Sequence, residues 1–298
     1  MFIVKYRKIF YLFSGLLVAA SLFAVFGFGL KQGIEFTGGS LLELEYASST
    51  PEISGLQVAV ADLNLGNVIL QPSAESGLIA RSKNLTEDEH QKLYAALTKK
   101  SSAKEIRFDS IGPVIGKELR QKSVIAVILV VVMIVLFIAF AFRKVSRPVS
   151  SFKYGLITVV ALAHDVAIPT GAFAILGKYL GVEIDVLFIT ALLTVLGFSV
   201  HDTIVVFDRV RENLKNSESK ENFENIVGLS LRQTIGRSIN TSLTVILVLL
   251  SLFFFGGQST KYFSLALIIG VIFGTYSSIF LASPLLVTAQ KMQERKKK

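Results

Sequence analysis

The 298-residue chain contains no cysteine, which excludes disulfides and cysteine-ligated metal sites. It also lacks Gly-x-Ser-x-Gly and His-Glu-x-x-His motifs, the signatures of common serine and zinc hydrolases. Its net charge of +9 is not gathered into a basic stripe interleaved with aromatics, so nucleic acid is not an expected partner. Charge is scarce over long stretches. Six apolar runs, about Ile9–Leu30, Ser123–Phe142, Tyr154–Gly177, Val186–Phe207, Ser238–Thr260 and Tyr262–Gln290, contain only Asp165 and Asp202 as charged residues. Each reaches the roughly 20 residues needed to cross a hydrocarbon core about 30 Å thick.

A hydrophobic fraction of 52% and a mean hydropathy of +0.59 agree with a polytopic membrane protein. The first run follows Lys5, Arg7 and Lys8, yet it is longer than the usual 7–15 apolar residues of a cleaved signal. It reads as a retained anchor. Basic residues then alternate between connections. Arg143, Lys144, Arg147 and Lys153 lie between the second and third runs; Arg209, Arg211, Lys215, Lys220, Arg232 and Arg237 lie between the fourth and fifth; Lys291 and 295–298 close the chain. The alternate short connections hold only Lys178 and Lys261. This bias predicts that both termini and the two basic loops are cytoplasmic, facing anionic lipid heads. The expected organisation is a cytoplasmic N-terminus and first helix (1–30), an outer domain (31–122), five further spans (123–290) and a basic tail (291–298). An amphipathic helix at the membrane surface is expected within 208–236, around Ile226, Val227, Leu229 and Leu231.

Residues 31–122 are the one long polar segment, with eleven Lys/Arg against twelve Asp/Glu. In Phe36–Ala47, Leu42, Leu44 and Tyr46 alternate with Glu43 and Glu45, the period of a strand. Thr50-Pro51 opens a helix to about Leu63. Asn67–Gln71 and Gly77–Ser82 read as strands joined through Pro72-Ser73-Ala74-Glu75. Thr86-x-x-Glu89 is a capping box starting a helix that ends near Lys99, and Lys104–Ser110 supplies a last strand. The order is β-α-β-β-α-β, which predicts a small ferredoxin-like extracytoplasmic domain beside six transmembrane helices. Gly33-Ile-Glu-Phe-Thr-Gly-Gly39 joins the first run to the first strand. It lacks a phosphate-binding lysine, so Gly33, Gly38 and Gly39, with Glu35 and Phe36, read as a junction of unusual backbone angles.

An aspartate inside a lipid-embedded helix costs roughly 2.5–3.5 kcal/mol on insertion scales. Asp165 and Asp202 are therefore the candidate functional residues. In the fourth run Thr190, Thr194, Gly197 and His201 share one helical face, with Asp202 at its border. Facing inward, they would make a polar seam in the bundle. In the third run Thr158 and Asp165 share a face, His164 lies beside them, and Pro169 leaves the Asp165 carbonyl without its helical donor. In the fifth run Arg237, Asn240, Thr241 and Thr244 cluster, and ionised Asp202 is expected to pair with Arg237 until a proton releases it. Asp202, Arg237 and Asp165 are the expected proton relay; His201, His164, Thr194, Thr241 and Asn240 are its polar support. Side chains adjacent in a helix point about 100° apart, so the two His-Asp pairs do not predict a metal. Gly270-x-x-x-Gly274-x-x-x-Ser278 in the last run predicts close helix packing within the chain.

Gly33–Gly39, Gly112-Pro-Val-Ile-Gly-Lys-Glu-Leu119, His164-Asp165, the block Gly197–Asn213 and Gln233–Thr244 together resemble the SecD/SecF family of protein-export membrane proteins, within the resistance-nodulation-division group. The resemblance covers nearly the whole chain and departs at His201 and at Arg232, where the family commonly has asparagine. It implies a non-enzymatic subunit in the bacterial cytoplasmic (inner) membrane. It implies no cofactor, with protons as the coupling ion, and partnership with SecD, the SecYEG channel and exported unfolded polypeptides. The membrane aspartate and arginine at Asp202 and Arg237 would serve proton conduction, with Asp165 as a further member. A self-contained proton-driven exporter of small molecules or lipids is the alternative; such exporters usually carry twelve spans and much larger outer domains. An intramembrane aspartyl enzyme would leave the charged end of the Gly197–Asn213 block without a use.

Overall fold

Two structural units follow from the contrast between polar and apolar sequence. In a computed structural model, which describes residues 2–73, 76–141, 149–216 and 222–295, 32–124 form one unit and the remaining chain forms the other.

The smaller unit begins with α3 (Ile34–Thr37) and β1 (Gly39–Tyr46), after α1 (Phe2–Lys5) and α2 (Arg7–Phe28) of the other unit. It continues through α4 (Ile53–Ala61), β2 (Ile69–Ser73), β3 (Gly77–Ser82), α5 (Glu87–Thr98) and β4 (Ala103–Ile111). The four strands are antiparallel in the order β2-β3-β1-β4. This is the expected βαββαβ order, with each element within a few residues of its expected bounds. Ala74 and Glu75, expected in the β2–β3 connection, lie outside the described residues.

The alternation on β1 does what its period requires. Leu42, Leu44 and Tyr46 are buried and pack with Leu56 and Val60 of α4, Leu78 and Ala80 of β3, and Leu93 and Leu97 of α5. Glu43 and Glu45 lie on the opposite face. The capping box at α5 is complete: the Glu89 amide donates to Thr86 Oγ1 at 3.4 Å and the Thr86 amide to Glu89 Oε2 at 2.9 Å. His90, also buried, lies face to face with Phe108 (centroids 3.7 Å apart), its two ring nitrogens against Glu87 and Glu105.

The glycine junction is a close interlock. Gly38 and Gly39 have φ of +76° and +128°, conformations that L side chains rarely adopt. A Cβ on Gly38 would lie 2.8 Å from Pro113 Cα, and one on Gly116 would lie 2.8 Å from the Gly38 amide nitrogen. Gly33 only caps α3, at an ordinary φ of −73°. Phe36 is buried, and Glu35 approaches Arg107 at 3.9 Å. Chain entering the unit and chain leaving it, at the start of α6 (Pro113–Ala141), therefore touch backbone to backbone.

The larger unit is helical: α1, α2, the rest of α6, α7 (Ser151–Leu180), α8 (Val186–Asn216), α9 (Phe223–Phe255), α10 (Gln258–Ser277), a π-helical turn (Ser278–Ala282) and α11 (Ser283–Arg295). Among the described residues six helical stretches are long and apolar enough to span a membrane. Arg143, Lys144, Arg147, Lys220 and the tail residues 296–298, whose charges bear on orientation, lie outside the described residues. α6 stays exposed along its apolar length, with Ile128, Leu129, Met133 and Leu136 each 59% accessible, as suits a lipid-facing surface.

The structure alters two expectations. Among the described residues no separate surface helix lies within 208–236: α8 runs on to Asn216 and α9 starts at Phe223. Charged side chains on these extensions pair along their own helix, Arg209 with Glu212 and Arg211 with Asp208. Phe223, Val227 and Leu231 meanwhile join Val206, Phe207 and Val210 in one apolar cluster. That burial holds the segment upright in the bundle. The last apolar run, moreover, is not one regular helix. Pro284 lacks an amide hydrogen, and the turn before it widens so that the Ser283 amide reaches the Ser278 carbonyl.

Candidate functional site

Small residues let α10 approach α8 closely, which sets the centre of the bundle. A Cβ on Gly270 would fall 2.1 Å from Val195 Cγ2, and one on Gly274 would fall 3.1 Å from Ser199 Cβ. The glycine stripe is thus an intramolecular seam. Its third member, Ser278, opens the π-helical turn.

Both aspartates lie at this seam. Asp165 on α7 is fully buried and Asp202 on α8 is 7% accessible. Asp165 Oδ2 accepts hydrogen bonds from the hydroxyls of Ser199 and Ser277, the latter at 2.7 Å. Its Oδ1 lies 2.8 Å from His164 Nδ1. Asp202 Oδ1 accepts from Ser238 at 2.5 Å and Oδ2 from Ser278 at 2.7 Å. Each carboxyl is therefore clamped by two serines from two different segments, and the neighbours Ser277 and Ser278 are divided between the two acids. A hydrogen bond to a charged group contributes about 1.5–3 kcal/mol. Two of them offset part of the cost of keeping a carboxyl in the interior of a membrane-spanning bundle.

That matters because the expected Asp202–Arg237 pair is not formed. Arg237 is exposed on α9 and lines a polar cleft of about 410 Å³ with Asp208, Arg209, Glu212, Gln233 and Thr234. Its neighbour Ser238 points inward and takes the place at Asp202. One step along a helix turns the side chain by about 100°, and the structure gives the inward direction to the serine.

The supporting residues divide in the same way. His164 is buried, stacked on Tyr276 (centroids 5.9 Å, interplanar 21°), and its Nε2 has no hydrogen-bond partner among the described residues. His201, Thr194, Thr190 and Gly197 are all exposed, so the stripe expected to face inward faces outward. The inward face of α8 is instead Ala191, Leu192, Val195, Ser199, Asp202 and Val206. Asn240, Thr241 and Thr244 are exposed on α9 as well. Thr194 and Thr244 satisfy their hydroxyls on carbonyls four residues back. The α8 stripe continues at helical spacing through Val205, Asp208 and Glu212, and the α9 stripe through Gln233 and Arg237. These continuations line the same cleft, so the two exposed polar stripes are neighbours.

Ser199, Ser238, Ser277 and Ser278 are absent from the expected relay. Two signals in the sequence point to them: Ser199 lies three residues before Asp202 and hence on the same face, and Ser278 ends the small-residue stripe. A buried pair, Ser242 Oγ and Thr275 Oγ1 at 2.5 Å, extends the polar column between α9 and α10. Among the described residues no cluster of three or more His, Asp or Glu could hold a metal.

Comparison with known proteins identifies a family. The profile of "Protein export membrane protein SecD/SecF, C-terminal" matches residues 91–292, and that of the "SecD/SecF GG Motif" matches 23–50. The protein translocase subunit SecF of Thermobaculum terrenum is 45% identical over 96% of this chain and 93% of its own length. That of Anaerolinea thermophila is 38% identical over 94% of this chain and 91% of its own. The crystal structure of SecDF from Thermus thermophilus, described as a translocon-associated membrane protein, superposes with a TM-score of 0.83 at 31% identity. The match covers 97% of this chain but 38% of that one.

Proposed function

This chain belongs to the SecD/SecF family of protein-export membrane proteins, and from that premise we propose that it is a SecF-type subunit that works with a SecD-type partner to couple proton movement to late-stage protein export. The observation that carries the reading is the pair of serine-clamped aspartates buried in the bundle. A carboxyl at that depth is costly to keep, and hydroxyl donors let it exist with or without its proton, since a hydroxyl donates to a carboxylate and accepts from a carboxylic acid. One charge moved across the membrane is worth about 2.3 kcal/mol per 100 mV, enough to bias a two-state bundle.

The outward polar stripes on α8 and α9 support the partner. Thr190, Thr194, His201, Asn240, Thr241 and Thr244 lie in spans otherwise fit for lipid, where bare polar groups are disfavoured. A second set of helices seated there would cover them and would bring its own groups towards Arg237. SecD is the partner that the family supplies; the SecYEG channel and unfolded exported chains are the further partners. Protons are the coupling ion, and no other cofactor is invoked. The basic bias of the connections supports a topology with both termini in the cytoplasm of a bacterium and the sheet domain outside its inner membrane. There the sheet domain is available to an emerging polypeptide.

Asp202→Asn tests the reading. The variant should insert and co-purify with its SecD-type partner, yet fail to accelerate export of a slow secretory substrate under an imposed proton gradient. Normal export by that variant would overturn the proton-coupling reading.

A further inference from the structure

We infer that Ser277 and Ser278 are positioning residues through which the end of α10 reads which of the two aspartates carries a proton, the π-helical turn that Ser278 opens being the segment that changes its hydrogen bonding. The inference rests on the proposal that Asp165 and Asp202 exchange protons.

Adjacent residues on a helix point about 100° apart, so a serine pair can address two acids in different directions. Ser277 donates to Asp165 at 2.7 Å and Ser278 to Asp202 at 2.7 Å. Each hydroxyl also has a second acceptor in its own helix, already in reach: the Gly274 carbonyl at 3.0 Å for Ser277 and the Thr275 carbonyl at 2.9 Å for Ser278. A hydroxyl has one hydrogen to give. While the carboxylate is ionised, that hydrogen goes to the acid. When the carboxyl takes up a proton its O–H becomes a donor, the serine oxygen accepts from it, and the serine hydrogen swings to the backbone carbonyl.

Those carbonyls are the ones that close the helix. The Ser278 amide is shared between the Gly274 and Thr275 carbonyls, and at the end of the turn that follows a wide bond runs from the Ser283 amide to the Ser278 carbonyl. Ser283 Oγ donates to that same carbonyl at 2.7 Å. A serine proton arriving on Thr275 competes with the Ser278 amide, and back-bonding of this kind bends helices. Single π turns occur frequently at functional sites. The signal can also pass between the acids, because Gly274 packs on Ser199, the second serine on Asp165.

Few other titratable groups intrude. His164 faces Asp165 from α7, and Tyr276 of α10 stacks on that imidazole. His201 and Arg237 flank Asp202 on α8 and α9 but lie at the bundle surface. α2 brings Ser14 against Tyr276; its charged residues Arg7 and Lys8 lie in its first turn, where Arg7 pairs with Glu224.

The test is hydrogen exchange at residues 279–287 in the full chain with its SecD-type partner in lipid nanodiscs, followed against pH and corrected for intrinsic exchange. The wild type should show a protection change of about fivefold, the factor that one net hydrogen bond represents. Asp202→Asn should remove most of the change. Ser278→Ala should also flatten it, Ser278→Cys, a near-isosteric weak donor, should reduce it, and Ser278→Thr should keep it. Ser242→Ala, which alters the neighbouring polar column without touching an acid, should leave it intact. Should Ser278→Ala fail to fold, the Cys and Thr pair carries the test. If Asp202→Asn removes the pH response while Ser278→Cys and Ser278→Ala retain it in full, the serine inference is wrong and the proton-exchange reading survives. If Asp202→Asn leaves the response unchanged, the proton-exchange reading itself fails.

Discussion

The sheet domain and the helix bundle solve opposite problems with the same side chains. In the sheet domain leucines fill the interior, as at Leu42, Leu44, Leu78, Leu93 and Leu97, and polar pairs such as Lys83–Glu89 lie outside. In the bundle, serines, threonines and two aspartates are buried beside an apolar cluster, while Phe23, Phe26 and Phe255 are 72–89% accessible on its exterior. Water drives the first arrangement through the hydrophobic effect. Lipid supplies no such drive between helices, so close backbone contact and hydroxyl hydrogen bonds hold the second together. The lesson is that buried polar groups are individually paired exceptions in the sheet unit, as at His90 and Ser40, and part of the ordinary cohesion of the bundle.

This contrast can be broken by experiment. Leu78→Ala, at a fully buried position of β3, should cost about 2–5 kcal/mol. Amide exchange across β1 and β3 of the full chain should report that loss without a matching change in α8 or α10. Gly270→Val should cost about 1–3 kcal/mol through overpacking against Val195, read as a lower thermal midpoint of the solubilised chain. An equal loss for Phe26→Ala on the outer surface would mean that close backbone contact is not what holds the bundle together.

Smaller effects sharpen it. Thr86→Ala, which removes the cap of α5, should cost about 1 kcal/mol. Hydrogen bonding from Lys83 and then from the Thr86 amide holds the Glu89 carboxyl below its ordinary range. Its stabilising contribution is therefore present above that ordinary range and is lost as pH falls through the lower folded value. Glu89→Gln should flatten the acid limb of the sheet domain's stability. Glu43 has the opposite sign: burial pushes its carboxyl up, with Arg107 opposing. That contribution is present below the ordinary range and disappears as pH rises through the folded value. Glu43→Gln should make the domain slightly more stable at neutral pH, with the gain vanishing in acid. Both variants are followed by exchange in β1 and α5.

The sequence made the sheet domain legible because water enforces a period. The alternation Leu42-Glu43-Leu44-Glu45-Tyr46 has one sensible orientation, and Thr86-x-x-Glu89 has one sensible cap. The spans were legible from hydropathy alone. What could not be read was rotation. A polar stripe such as Thr190-Thr194-His201 declares that it avoids lipid, but not whether its neighbour is this chain or another. The expected direction was inward, and the stripe lies outward. Likewise Arg237 looked like the natural partner of Asp202 by charge, while the short hydroxyl of Ser238 fills that place. Serines carry weak pattern signals because they bond equally well to their own helix, as Ser242 does to the Ser238 carbonyl. The break at Ser278–Ala282 had one visible cause, Pro284, masked by the strength of the surrounding apolar run.

The contact of Gly38 with Pro113 and Gly116 has a mechanical meaning. Polypeptide arriving at the sheet and polypeptide departing from it are riveted together at one spot. A tug on any strand would load both tethers at once instead of peeling one from the other. Glycines at that joint leave no room for a side chain, so a bulkier residue at Gly38 or Gly116 would force the two passes of chain apart.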